Sequence, residues 1–385
     1  MGIKKIATIG ENFSNIFGST PELVAQAPGR VNLVGEHVDF LDGFVLPFAI
    51  EDVTTVAISR TVQPTIRIAS LQQTDEIFVV QMKDLAPMTG EAWTRYPIGV
   101  IWAMRDSLSF NGGFDILIDG KVPLGAGLSS SAALECAIAT ALNHLFNLNI
   151  SEPVLARIAQ KGENVYVGMP CGIMDQSVSI MGRKGSALLL DCRDLSTEHI
   201  PFNISPLGLE LLVIDTQVHH ALVDGGYAER RASCEKAVAV LGITSLRDIS
   251  VADFVSRKSE LDETTYIRAF HGVTEMKRVL DGVAALKAGD YKEFGQIITA
   301  SHISLRDNYT VSCPELNVAV DTALSLGALG SRMIGGGYGG SAIALIRADQ
   351  TANMKKAIAS AFAAAGFISP RFFTSLPSDG AQIVK

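Results

Sequence analysis

Over residues 113–146 the chain changes its hydrophobic period. GFDILIDG (113–120) alternates as a strand does, PLGAGLSSSA (123–132) interrupts with two glycines and three serines, and AALECAIATALNHLF (132–146) repeats at helical spacing. A strand delivered through a glycine-rich turn into an apolar helix is therefore predicted, with Ser129, Ser130 and Ser131 as candidate caps. Upstream, TTVAISRTV (54–62), TIRIAS (65–70) and EIFVVQM (76–82) also read as strands. Downstream, Ser151-Glu-Pro opens a helix running to about Tyr166, followed by strands at 186–192 and 209–218. The rest is mostly helical, at about 226–241, 273–287, 290–302 and 315–326, with a last helix from about Thr351 to Ala365. Strands and helices mix without regular βαβ alternation, so the fold class expected is α+β rather than a doubly wound sheet. At 385 residues the chain is long for one core, and two domains are expected, 1–195 and 196–385, with the border in the DLSTEHIPFNISP stretch.

Composition narrows the function classes. With 48% hydrophobic and 19% charged residues and a mean hydropathy of +0.27, the chain can build a packed core and is not intrinsically disordered. A net charge of −8 argues against nucleic-acid or acidic-membrane partners. No run approaches the roughly 18 apolar residues that span a bilayer, and MGIKKIATIGENF does not read as a secretory signal. The 5 cysteines are scattered and form no CxxC pair, so neither a disulfide framework nor a thiolate zinc site is expected. The expectation is a cytoplasmic monomer acting on small molecules.

Four tracts could carry chemistry. APGRVNLVGEHVDFLDGFVLP (27–47) sets Arg30, Glu36, His37, Asp39 and Asp42 among turn formers and apolar residues. It reads either as a buried strand with a charged turn or as a cluster for a polyhydroxylated ligand, which needs many donors and acceptors at once. PLGAGLSSSA feeds a helix start whose free N–H groups suit an anion. It lacks the Gly-Lys-Ser/Thr of a P-loop and does not fit the dinucleotide fingerprint. In GMPCGIMDQSVSIMG (168–182), Asp175 lies among apolar residues and is a general-base candidate; Glu163, on the preceding helix, could complete a magnesium site with a serine hydroxyl. SRMIGGGYGGSAIAL (331–345) crowds five glycines around Tyr338, which suits close backbone approach to a ligand or a structural hairpin. Weaker features read as structural: the adjacent His219 and His220, Cys171, and the pair Arg230 and Arg231.

These tracts together resemble the GHMP sugar and small-molecule kinases, and within them the galactokinase family. GRVNLVGEHVDFLDGFVLP looks like that family's signature, LGAGLSSSAALE like its phosphate-binding motif and GSRMIGGGYGGSAIAL like its third motif; GENVYVGMPCGIMDQ, YAERRASCE, SLRDNYTVSCPEL and PSDGA also match. The resemblance implies two domains with the active site in the cleft between them, and transfer of the ATP γ-phosphoryl group to the anomeric hydroxyl of α-D-galactose. It implies sugar contacts from Glu36, His37, Asp39, Gly172, Asp175 and Tyr227, and catalysis by Arg30 and Asp175. It implies Mg2+ on Ser131 and Glu163, phosphates against Gly125, Ala126, Gly127, Leu128, Ser129, Ser130 and Ser131, and Trp93 beside the adenine. Val38, Phe40, Leu41 and Ile334 depart from the family pattern towards lower polarity, which puts fine sugar choice in question. The alternatives are another GHMP sugar kinase, for an N-acetylated or pentose substrate, and a non-catalytic sugar sensor.

Overall fold

The strand Gly113–Gly120 and the helix Ser130–Leu145 meet through the predicted turn. In the computed structural model, which describes residues 8–219 and 223–384, that strand lies inside a six-stranded sheet. The order is Gln382–Ile383, Leu23–Asn32, Pro47–Thr61, Gly113–Gly120, Thr65–Ser70, Gln73–Gln81. Every pairing is antiparallel except that of Thr65–Ser70 with Gly113–Gly120. Helix Ser130–Leu145 crosses one face, and its buried alanines (Ala132, Ala133, Ala137, Ala139 and Ala141) let it settle close on the strands. On the other face the helix Ile9–Phe17, started by a Thr8/Glu11 capping box, buries Phe13 against Val24, Ala57 and Leu117.

A second, wholly antiparallel sheet runs Gly330–Ile334, Gly339–Arg347, Leu209–His219, Arg371–Thr374. Helices Tyr291–Asp307 and Pro314–Ser325 pack on it. A third sheet joins Phe44–Val45, Ser186–Asp191 and Thr197–Pro201, so the expected border at 195/196 falls in the turn between its last two strands. The architecture is α+β. Among the described residues no helix is long and apolar enough to cross a membrane.

Several local expectations are corrected. The three serines do not cap: helix Ser130–Leu145 starts on Ser130, and Ser129, at the cap position, has a left-handed φ of 58° and makes no side-chain capping bond. The helix opened by Ser151 ends at Lys161, then widens into a π-helical turn, Gly162–Val167, a distortion that often marks functional sites. The helix expected from about 273 begins instead at Glu263, capped by the Asp262 carboxylate on the Thr265 N–H. Helix Arg95–Met104 carries no helical signal in its sequence; RYPIGVIWAM is rich in aromatic and β-branched residues, and tertiary packing overrides that weak propensity. His220 and the side chain of His219 lie outside what is described.

Candidate active site

The first tract proves to be both a strand and a polar turn. Strand Leu23–Asn32 carries Arg30, and its register shifts between Pro28 and Arg30. Gly29 sits at that irregularity, where a Cβ would come within 2.5 Å of the Leu128 carbonyl oxygen. Only glycine lets strand and glycine-rich loop approach this closely, and the Arg30 N–H donates to the Leu128 carbonyl at 2.9 Å. The Arg30 side chain, 6% exposed, then reaches Asp175 in the first turn of helix Met174–Met181. Nε donates to Oδ1 at 2.8 Å and Nη2 to Oδ2 at 2.9 Å, a two-pronged charged pairing, while Nη1 donates to the Gly127 carbonyl at 2.5 Å. Burial alone would lower the Arg30 pKa, but Asp175, Glu36 and Asp39 outweigh it and keep the guanidinium charged. The Ser129 hydroxyl also donates to Asp175 Oδ2, which is where that side chain goes instead of capping.

Asp175 and Arg30 border a pocket shared with Glu36, His37, Asp39, Gly172 and Tyr227. The structure thus gathers in one place every residue that the resemblance assigned to the sugar. Asp39 accepts the Met174 N–H at 3.3 Å, and Gly172 is pressed so near that a Cβ would lie 1.8 Å from Asp39 Oδ2. Burial, then Asp175, pushes the Asp39 carboxyl up to about 6. Burial likewise lifts Glu36 to about 7, against the pull of Arg332 and Arg30. Arg332, 0% exposed, donates to Glu36 Oε2 at 2.7 Å, and Asn32 donates to the same oxygen at 3.1 Å. His37, packed against Tyr227 and Tyr309, is held neutral by burial and the nearby His271, at about 3. Its Nε2 lies 3.2 Å from the Gly336 carbonyl, which can only accept, so Nε2 carries the proton. Nδ1 is left as a buried acceptor with no protein partner.

A second cleft adjoins the first. It is lined by Gly125, Gly127 to Ser131, Glu163 and Gly335 to Gly340, and it shares Arg30, Gly335 and Gly336 with the pocket above. In the glycine-rich loop the sign of φ alternates, positive at Gly125 (72°), Gly127 (73°) and Ser129 (58°). That alternation turns successive N–H groups to one side and forms an anion nest. The third motif is a hairpin turn, and it lies along this cleft: Ser341 donates to the Ala126 carbonyl at 2.7 Å. Trp93 stands apart, in an apolar pocket with Thr54, Ile118, Val122 and Leu134 that touches the cleft through Ser130.

Glu163 sits on the π-helical turn, nearly buried, and lines the cleft together with Ser131. Burial and Asp175 raise it to about 7. Glu135 and Gln176, which sequence reasoning passed over, complete the cluster: Gln176 Nε2 donates to Glu163 Oε2 at 2.7 Å and to Glu135 Oε2 at 3.1 Å. Burial and Glu163 push the wholly buried Glu135 well above the carboxylate range. A lone Glu inside AALECAIATAL was the available signal. Hard oxygen donors from Glu163 and Ser131, on a cleft lined by the glycine-rich loop, fit a magnesium ion, which usually takes few protein ligands and completes its shell with phosphates and water. Cys171 is no nucleophile: burial and the neighbouring carboxylates hold its thiol well above the usual range, and it donates to Glu163 at 3.4 Å. Arg230 and Arg231 are paired, the former with the Thr310 carbonyl at 2.9 Å and the latter with Glu235 at 2.9 Å.

The fold and site are those of a GHMP kinase. The families described as GHMP kinases N terminal domain and GHMP kinases C terminal match residues 95–183 and 283–364, and the galactokinase galactose-binding signature matches 11–60. The chain is 47% identical to a galactokinase of Streptomyces coelicolor over 384 residues, 99% of each, and 40% identical to one of Roseiflexus sp. over 377 residues, 96% of this chain and 95% of the other. The crystal structure of Lactococcus lactis galactokinase complexed with galactose superposes with a TM-score of 0.93 at 32% identity, covering 97% of this chain and 98% of that one. Mevalonate kinase of Methanococcus jannaschii, at TM-score 0.64 and 18% identity over 93% of this chain and 98% of its own, shares the fold. The chain belongs to the galactokinase family.

Proposed function

We propose that the protein transfers the γ-phosphoryl group of ATP to the anomeric hydroxyl of α-D-galactose. One observation carries this reading: the Arg30–Asp175 pair stands where the hydroxyl-reading pocket meets the anion cleft. Phosphoryl transfer needs positioning and charge stabilisation more than covalent help from the protein. Asp175 accepts or orients the hydroxyl proton, and Arg30 holds that side chain in place while offsetting charge on the transferring group. The nest at 125–129 holds phosphate oxygens, and the Trp93 pocket takes the adenine. Ser131 and Glu163 would hold Mg2+, which when bound neutralises phosphate charge. In the sugar pocket Glu36 and Asp39 accept hydrogen bonds from sugar hydroxyls, and the unpartnered His37 Nδ1 accepts another. Val38, Leu41 and Ile334 are buried and Phe40 packs against Tyr227; none of the four lines the sugar pocket, so these departures do not argue for a different sugar.

Two tests follow from the electrostatics. Galactose affinity should level off above about pH 8 and fall as Glu36 and Asp39 take up protons, near 7 and 6, because a neutral carboxyl is a weaker acceptor. His37, near 3, adds no acid limb in that range. Calorimetric titrations giving one affinity from about pH 5 to 8 would show that neither carboxyl changes its protonation in that range in a way the sugar senses. For Glu163→Gln, the Mg2+ concentration for half-maximal turnover should rise about tenfold or more, since even residues that merely support a metal ligand cost 10–100-fold. Galactose binding without metal should stay as it was; an unchanged Mg2+ titration moves the metal elsewhere.

A further inference from the structure

We propose that His271 and Glu275, on the long helix Glu263–Lys287, are positioning residues for the sugar: they hold the backbone of Gly35–His37 so that Glu36 and His37 present their side chains to the ligand. The inference rests on the reading of this pocket as a sugar site.

The turn they hold cannot hold itself. Gly35 (φ 101°) and His37 (φ 59°) both have positive φ, and for His37 that conformation carries strain which surrounding contacts must maintain. The buried N–H groups of Gly35 and Glu36 find their acceptor 240 and 239 residues away, on Glu275 Oε1, at 3.0 and 3.3 Å. The same oxygen accepts the Ser301 hydroxyl at 2.6 Å, and Oε2 accepts Arg278 Nη1 at 2.6 Å. The Glu36 carbonyl lies 3.0 Å from His271 Nε2, and His271 Nδ1 lies 3.0 Å from the Ser304 hydroxyl. His271 is neutral, its pKa lowered by burial to about 4, so Nε2 donates to the carbonyl and Nδ1 accepts from Ser304.

A carboxylate at 0% exposure is costly unless it is paired, and Met276, Val279 and Val283 show that this helix elsewhere fills buried positions with apolar side chains. Glu275 is justified by what it accepts. Burial would raise its pKa, but Arg278, His271 and Arg332 hold it at about 2, so at neutral pH it is a charged acceptor. The helix thereby makes one half of the molecule responsible for the shape of a ligand turn supplied by the other.

The test compares Glu275→Gln with Glu275→Leu, measuring galactose affinity by calorimetry without nucleotide, affinity for a non-hydrolysable ATP analogue, and Tm. Glutamine keeps an acceptor for the two amides but turns an NH2 towards Arg278, so Tm should fall while galactose affinity stays within about threefold. Leucine removes the acceptor, so galactose should bind about 10–100-fold more weakly with analogue affinity unchanged. If the leucine variant does not fold, His271→Phe, which loses the donor to the Glu36 carbonyl, carries the test, with about tenfold weaker galactose binding expected. Wild-type galactose affinity in the leucine variant or, failing that, in His271→Phe overturns the proposal. So do equal losses of sugar affinity in the glutamine and leucine variants, or losses shared with the analogue. A wild-type protein that binds no galactose would overturn the sugar reading itself, and this inference with it.

Discussion

Asp175→Asn is expected to cut galactose turnover by roughly 10²–10⁴-fold while galactose affinity stays within a few-fold of wild type. Asparagine keeps the shape, and its carbonyl oxygen can still accept from Arg30 Nε. The amide group then replaces the oxygen that receives both Arg30 Nη2 and the Ser129 hydroxyl, so a donor faces two donors. What disappears is an acceptor able to take a proton from the anomeric hydroxyl. The loss therefore falls on kcat, because the sugar contacts proposed for Glu36, His37 and Asp39 are left in place. Single-turnover and steady-state measurements decide it: near-normal turnover means that Asp175 is not the base.

Arg30→Met should cost about as much in turnover, roughly 10²–10³-fold, and it should also destabilise the protein. Removing one partner of a buried pair typically costs 3–5 kcal/mol. Asp175 is 25% exposed, and water relieves part of its stranded charge, so about 2–3 kcal/mol is expected. The Gly127 carbonyl loses its donor as well, which loosens the glycine-rich loop and should weaken ATP binding more than galactose binding. The double variant with Asp175→Asn should be little worse than Arg30→Met alone, because the pair works as a unit. Thermal melts and kcat near wild type for Arg30→Met, or strictly additive losses in the double variant, would contradict this account of the pair.

Much of the site is written in local tracts. Arg30, Glu36, His37 and Asp39 fall within ten positions, the glycine–serine loop announces an anion site by its turn and helix start, and Asp175 stands out as a carboxylate among apolar residues. The supports are less legible, because their meaning depends on distance. Glu275, His271 and Arg332 look like ordinary polar residues until the fold sets them 235 to 296 positions away in sequence against one turn. Glu135 and Gln176 matter only once their two helices meet beside Glu163. The misread serine cap has the same origin: Ser129 serves a long-range partner, Asp175, that local helix rules do not contain. The short strand Gln382–Ile383 takes its place only because the chain's end returns to pair with Ala25.

The central claim is most directly tested by ADP release, followed in a coupled assay across a sugar panel, with phosphorus NMR locating the new phosphate. The account predicts Mg2+-dependent turnover with galactose, phosphate on the anomeric carbon, and much less turnover with glucose or mevalonate. No ADP release above background with any hexose would contradict it.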